Sequence, residues 1–191
     1  MNVLALLGSP RKGGNSEILA DEVLRGAAEA GAGTAKVHLD DLWIRPIAEV
    51  MDNRAKREDT RSDDDFPGLL ERFLDAQIVV FATPVYWAGV TAQTKCFIDR
   101  LSAYAWRPPY AERFKGKGYA VACTFAVKEL EHGEWVTKPL QCCVDVLGGR
   151  YLGDVCASVY KKGAVREMAD ALHAARELGA KAVEQMQEPA G

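Results

Sequence analysis

The chain has 191 residues, 48% hydrophobic and 27% charged, with a formal net charge of -3. That is enough apolar material for one domain spanning residues 1–191 to bury a full core, and the charge gives no general pull toward nucleic acid or anionic membranes. No apolar stretch approaches the length of a membrane span, and residues 1–7 open a strand instead of a charged-then-apolar leader, so the expected setting is cytoplasmic.

Val3, Leu4, Ala5, Leu6 and Leu7 form a continuous apolar run, which predicts a strand buried on both faces. The next segment carries Gly8, Ser9, Pro10, Arg11, Gly13, Gly14, Asn15 and Ser16. A helix opens behind it, with Leu19, Val23 and Ala27 as its inward stripe and Glu17 in the first turn, where a carboxylate complements the dipole. Strand, glycine-and-hydroxyl loop and helix N-terminus together make an arrangement that holds a phosphate. Free N–H groups converge, small residues let the anion approach, Ser9, Asn15 and Ser16 add side-chain donors, and Arg11 screens the charge. The spacing matches neither common nucleotide pattern. Gly14 and Asn15 stand where a Walker loop needs lysine and then a hydroxyl residue, and Pro10 stands where the dinucleotide fingerprint needs its second glycine.

Residues 34–39 read as a second strand, with Lys36 and His38 alternating against Val37 and Leu39. Residues 52–65 mix acidic and basic side chains with almost nothing apolar, which predicts a mobile charged excursion. Phe66 and Pro67 then open a helix carrying Leu69, Leu70, Phe73 and Leu74. Residues 78–82 are a second continuous apolar run, followed by Thr83, Pro84, Val85, Tyr86, Trp87, Ala88 and Gly89, and by a helical pattern with Phe97, Leu101 and Ala105 on one side. Aromatics in a strand-to-helix loop, at the carboxyl end of a central parallel strand, sit where open α/β sheets bind ligands. They either face something flat or fold back as a lid on the core. Asp99 and Arg100 are expected to tie the third helix to its neighbours as a partly buried ion pair. Trp106, Pro108, Pro109 and Tyr110 suit either a dimer contact or a substrate wall. Residues 119–124 form a fourth strand, 135–147 a fourth helix, 151–159 a fifth strand and 164–186 a long helix with Met168, Ala171, Leu172, Ala175 and Leu178 inward. Cys96, Cys123, Cys142, Cys143 and Cys156 contain no CxxC pair and are expected to be buried, reduced thiols, with no metal site. Strict alternation of strand and helix predicts a doubly wound parallel sheet with helices on both faces.

Together the two loops resemble those of the flavodoxin-like NAD(P)H-dependent FMN reductase family, which includes quinone reductases and iron–sulfur flavoproteins. The first loop, Gly8 to Ser16, is similar to the segment that holds the ribityl phosphate there. The second, Thr83 to Tyr86 with Lys95, Asp99 and Arg100 downstream, is similar to the segment beside the isoalloxazine ring. The resemblance implies strand order 2-1-3-4-5, and FMN bound by Ser9, Arg11, Gly14, Asn15, Ser16, Pro84, Val85, Tyr86 and Trp87. Thr124 and His132 are added from the loop after the fourth strand, where His132, Gly133 and Glu134 look like a shortened form of a quinone-reductase segment. His132 either contacts the flavin edge or substrate, or stays an exposed loop residue. Backbone N–H groups around Val85 and Thr124 are candidates for the polar edge of the ring. The resemblance further implies NADPH or NADH as hydride donor, a small acceptor such as a quinone, nitro or azo compound or free flavin, and a homodimer or homotetramer. Hydride transfer needs no side-chain acid or base, so no catalytic side chain is named. The departure is the cysteine cluster of the iron–sulfur members, absent from residues 42–66. A flavodoxin-type electron carrier is the alternative, and a non-redox scaffold or regulator that kept the fold after losing the flavin is a second rival.

Overall fold

The computed structural model describes residues 1–48, 63–127 and 130–188. Its strands are β1 (Asn2–Leu7), β2 (Gly33–His38), β3 (Ile78–Pro84), β4 (Gly118–Phe125) and β5 (Arg150–Ser158). All pair in parallel in the order β2-β1-β3-β4-β5. The helices are α1 (Asn15–Glu29), α2 (Phe66–Asp75), α3 (Ala92–Leu101), α4 (Tyr110–Phe114), α5 (Glu134–Val146) and α6 (Ala169–Gln187). The flavodoxin-like order expected from the resemblance is the observed one.

Successive strand residues point to opposite faces of the sheet. Val3, Ala5, Leu7, Val80 and Ala82 pack against α1 and α6 through Leu19, Val23, Ala175 and Leu178. Leu4, Leu6, Val79, Phe81 and Val121 pack against α2, α3 and α5 through Phe73, Phe97 and Leu140. Both layers are apolar, which is why the central strands read as unbroken hydrophobic runs. On the α1–α6 side the helices approach backbone to backbone. A Cβ on Gly26 would lie 1.9 Å from Arg176 O, and one on Gly179 would lie 1.9 Å from Val23 O, so each helix offers a glycine to the other.

Several boundaries differ from those read in the sequence. The third helix ends at Leu101, so Ala105 lies beyond it, and the unexpected short α4 follows the proline pair. The terminal segment divides at Met168 (φ -98°, ψ 77°) into a 3₁₀ turn, Ala164–Glu167, and α6. The cysteines are all free, but only Cys123 is buried; Cys142 is exposed and the other three are intermediate. Helix α5 turns Cys142 outward while Val144 and Leu140 face the core. Of the expected charged excursion over residues 52–65, residues 52–62 lie outside the described residues. Its described end is built into the body, since Trp43 N–H donates to Asp65 Oδ2 at 2.7 Å and Arg45 N–H to Asp64 Oδ2 at 3.0 Å.

Asp64 is the acidic partner of Arg100, and both side chains are fully buried. The Arg100 guanidinium also lies over the Phe66 ring, 4.1 Å from its centroid. The expected ion pair on the third helix is therefore made by Arg100 alone, while Asp99 pairs with Lys95 at the surface. Burial by itself would raise the Asp64 carboxyl; N–H donors from Arg45 and Phe66 and the Arg100 side chain outweigh it and hold the group below the usual carboxylate range. A depressed acid stabilises the fold above its unfolded pKa and loses that contribution as the pH falls through the lowered value.

Asp64→Asn strips the buried guanidinium of this carboxylate and should lower the unfolding free energy by about 3–5 kcal/mol in a urea melt. Adding Arg100→Met removes the guanidinium as well and should restore much of that loss. A single-variant deficit under about 1 kcal/mol, the range of exposed pairs, would contradict the buried-pair reading.

Candidate functional site

Strands β1 and β3 are neighbours whose connections leave in opposite directions, so a crevice opens at their carboxyl ends. The loops that follow them are tied together directly. Thr91, the residue preceding α3, accepts from Thr94 N–H at 3.4 Å and donates through the same hydroxyl to Gly8 O at 2.7 Å. Gly8 N–H donates in turn to Ala82 O at 2.8 Å. A Cβ on Gly8 would stand 1.9 Å from Thr94 Oγ1, so the contact admits no side chain at that position.

The first loop is held by bonds from its own backbone N–H groups to side-chain and backbone acceptors. Arg11 N–H donates to Ser9 Oγ at 3.1 Å, Gly14 N–H to Arg11 O at 3.2 Å, and Gly13 N–H to Glu17 Oε2 at 2.6 Å. The first helical bond of α1 runs from Ile18 N–H to Gly14 O, which leaves the N–H groups of Asn15, Ser16 and Glu17 without an acceptor inside the helix. The Ser16 side chain is buried at 2% exposure and lines the crevice. Burial works to raise the Glu17 carboxyl, but Lys36, the Gly13 N–H and His38 hold it below its ordinary value, so it remains an anion. Lys36 Nζ lies 3.0 Å from Glu17 Oε1 and 2.7 Å from Asp21 Oδ1.

The crevice gathers Ser9, Arg11, Gly14, Asn15 and Ser16 from the first loop, Pro84, Val85 and Tyr86 from the second, and Thr124 from the end of β4. Its volume is ≈ 110 Å³, below the range of about 300–1,000 Å³ that envelops a whole small ligand. Asn15 differs from its expected role. Its Nδ2 donates to Lys161 O at 3.0 Å and its Oδ1 accepts from Val165 N–H at 3.3 Å, so the side chain fastens the β5–α6 loop to the helix start. That loop brings Val159, Tyr160 and Lys162 to the crevice, residues the sequence reading did not select. The available signal was an aromatic followed by two lysines at the carboxyl end of a strand, the same kind of position as the other two loops. Lys162 and Arg11 are the cations of the wall.

Two expected residues stand apart from this wall. Tyr86 and Gly89 exchange both backbone hydrogen bonds, at 2.9 and 3.1 Å, around Trp87 (φ 49°) and Ala88 (φ 59°). Positive φ at both central positions makes a type I′ turn, built here from residues that each carry a Cβ. Left-handed backbone costs such residues about 1–2 kcal/mol apiece. The turn throws the Trp87 side chain wholly into solvent, at 103% relative exposure. His132 is held edge-on against Trp135, with ring centroids 4.0 Å apart, and its ring also lies 6.3 Å from that of Phe125. The Val85 N–H is engaged with Thr124 O at 2.8 Å, so it continues the β3–β4 ladder and is not a free donor. Among the described residues no group of three or more His, Cys, Asp or Glu side chains is placed to hold a metal ion. No helix among them is long and apolar enough to cross a membrane.

The family described as NADPH-dependent FMN reductase matches residues 1–163. An iron–sulfur flavoprotein of Archaeoglobus fulgidus is 35% identical over 118 residues, covering 61% of this chain and 52% of that protein. YwqN of Bacillus subtilis, provisionally named an NAD(P)H-dependent FMN-containing oxidoreductase, is 32% identical over 102 residues, covering 53% of this chain and 52% of its own. The chain thus spans about half the length of these curated relatives. Among solved structures, the Trp repressor binding protein of Bacillus subtilis superposes with a TM-score of 0.72 at 24% identity, covering 93% of this chain and 99% of that one. The azoreductase AzrA gives 0.67 at 19%, covering 96% and 100%. At these identities the superpositions speak for the fold alone. Because the match runs over residues 1–163, from β1 through β5 and the loop that follows it, the chain belongs to the NADPH-dependent FMN reductase family.

Proposed function

We propose that the crevice binds FMN and that the protein uses it to pass electrons from NAD(P)H to a small acceptor. The observation that carries this is the start of α1. Unused N–H groups, a buried serine hydroxyl, and the cations Arg11 and Lys162 line one small cavity, the donor set an anionic phosphate requires. Its ≈ 110 Å³ suits the phosphate and sugar end, which leaves the ring to lie outside, against Pro84, Val85 and Tyr86. When bound, FMN supplies hydride acceptance and release at its ring. The residues supply position. Ser16 and the α1 N-terminus anchor the phosphate, Tyr86 offers a half-exposed aromatic face, and the Thr91–Gly8 tie keeps anchor and face at a constant separation. No side chain is asked to move a proton.

Quinones, nitro compounds, azo compounds and free flavin all suit a ring left open on one side. A homodimer or homotetramer would shield the exposed Trp87 indole, and five free cysteines accord with a cytoplasmic setting.

Ser16→Ala removes one donor to a buried dianion, an interaction of about 1.5–3 kcal/mol. FMN affinity, measured by fluorescence quenching, should fall about ten- to a hundredfold. Riboflavin, which has no phosphate, should bind almost unchanged. Equal losses for the two ligands would remove Ser16 from the phosphate site.

A second test addresses the reaction. The protein should purify yellow, and anaerobic addition of NADPH or NADH should bleach its visible absorption promptly. A colourless protein without saturable FMN binding would overturn the cofactor. Bound FMN left unbleached by either nicotinamide would instead favour a flavodoxin-like electron carrier.

A further inference from the structure

The segment between β5 and α6 reaches the crevice from the edge of the sheet, and its backbone is pinned at both ends. Its near end continues the strand, since Val159 N–H donates to Phe125 O at 2.7 Å. Its far end is Val165, a wholly buried residue of the α1–α6 layer. Between them Ala164 N–H donates to Lys161 O at 3.1 Å, which closes a turn with Lys162 and Gly163 at its centre. Gly163 is left-handed (φ 78°, ψ -4°), the backbone that the third position of a type II turn requires.

Asn15 brackets this turn. Its Nδ2 binds the carbonyl that opens the turn and its Oδ1 takes the N–H just beyond the turn's end, so one amide sets both against the first residue of α1. What the turn delivers is Lys162. This side chain lines the crevice together with Arg11, and among the described residues neither cation has an acidic partner. Glu17, the acid in the first turn of α1, is already engaged with Gly13 N–H and Lys36. Two uncompensated cations share the crevice with the first N–H groups of a helix, although the chain's net charge is negative. That combination suits a dianion and is poorly matched to a neutral ligand end.

We propose that the turn of residues 161–164 is the second arm of the phosphate site, in which Lys162 pairs with the terminal phosphate of FMN, and that Asn15 is a positioning residue acting through Lys162 and not a phosphate ligand. The inference rests on the FMN reading of the crevice and adds a source for its preference for a phosphorylated flavin. Asn15 places the backbone of the lysine, and the flexible stem carries the ammonium to the anion. Losing either residue removes the same contact. The two therefore act as a unit, which separates this arrangement from one in which the Asn15 amide touches the phosphate itself.

The test titrates the flavin-free protein with FMN and with riboflavin by fluorescence quenching, in Lys162→Met, Asn15→Ala and the double variant. Each single variant should bind FMN about five- to twentyfold more weakly and riboflavin as before. The double variant should fall no more than about twofold below the weaker single one. Lys162→Arg should keep most of the affinity. Between about 50 and 500 mM salt, the decline in FMN affinity should be shallower in Lys162→Met than in the wild type. The inference fails if either single variant binds FMN like the wild type. It fails if the losses multiply in the double variant, for Asn15 is then a ligand in its own right. It fails too if riboflavin weakens in step with FMN, as a purely structural role would require. Lys162 is exposed, so Lys162→Met should fold and decides its part whatever Asn15→Ala does. A wild type that binds the two flavins equally overturns the phosphate site and this inference with it, an outcome distinct from all of these.

Discussion

The hydroxyl of Thr91 holds the two halves of the crevice in register. It accepts at the start of α3 and donates to the carbonyl of Gly8 at the end of β1, so a helix cap and an inter-loop hydrogen bond share one oxygen. Through it the aromatic loop after β3 cannot drift from the phosphate-type loop after β1 without uncapping α3. Glycine at position 8 is a steric consequence of the same contact, since a side chain there would occupy the place of Thr94. The proposed hydride transfer would depend on close positioning and much less on acid or base groups. A short buried bond from a side-chain hydroxyl to the other loop's backbone serves that need better than a surface ion pair, which solvent and salt would weaken.

Charge around the helix start is arranged with the same economy. Glu17 places an anion one turn from the proposed phosphate site, which by itself would repel the ligand. Its carboxylate is engaged instead with the Gly13 N–H and with Lys36, and so fixes the loop while its charge is neutralised from β2. Arg11 and Lys162 remain on the crevice wall from two different loops. Asn15 makes that convergence possible by fastening the β5–α6 loop to α1 with both ends of its amide. The closely approached α1–α6 pair behind it, with Gly26 and Gly179 facing partner backbone, sets how near β5's loop comes to the helix start.

On the other face of the sheet the packing is less complete. Arg100 and Asp64 lock α3 to the segment entering α2, and the aromatic group of Phe66, Phe73, Phe97 and Tyr119 fills the space beneath. Between α3 and α5 that filling stops and a cavity of ≈ 360 Å³ remains, while the Tyr119 hydroxyl is buried without a hydrogen-bond partner. One face thus positions the crevice by tight backbone contact, and the other retains room. Both features follow from helix spacing, which side-chain size at the glycines of one layer and the aromatics of the other sets.

Sequence alone determined the parallel α/β class, because only strands covered on both faces need unbroken apolar runs such as Val3 to Leu7. It also located both motif loops, since each follows directly on such a run and local spacing is enough to place it. Strand order came from family resemblance, because alternation is compatible with several orders. Tertiary structure decided everything that depends on residues far apart in the chain. Lys162 and Tyr160 joined the crevice because Asn15 bonds across 146 residues to Lys161. Arg100 took Asp64 as its partner in place of its neighbour Asp99, because the helix turns those two adjacent side chains to different environments. Trp87 left the wall because a two-residue turn with positive φ points its side chain outward, and nothing in a Trp-Ala pair signals that backbone. Local chemistry chose the elements; long-range packing chose which side chains meet.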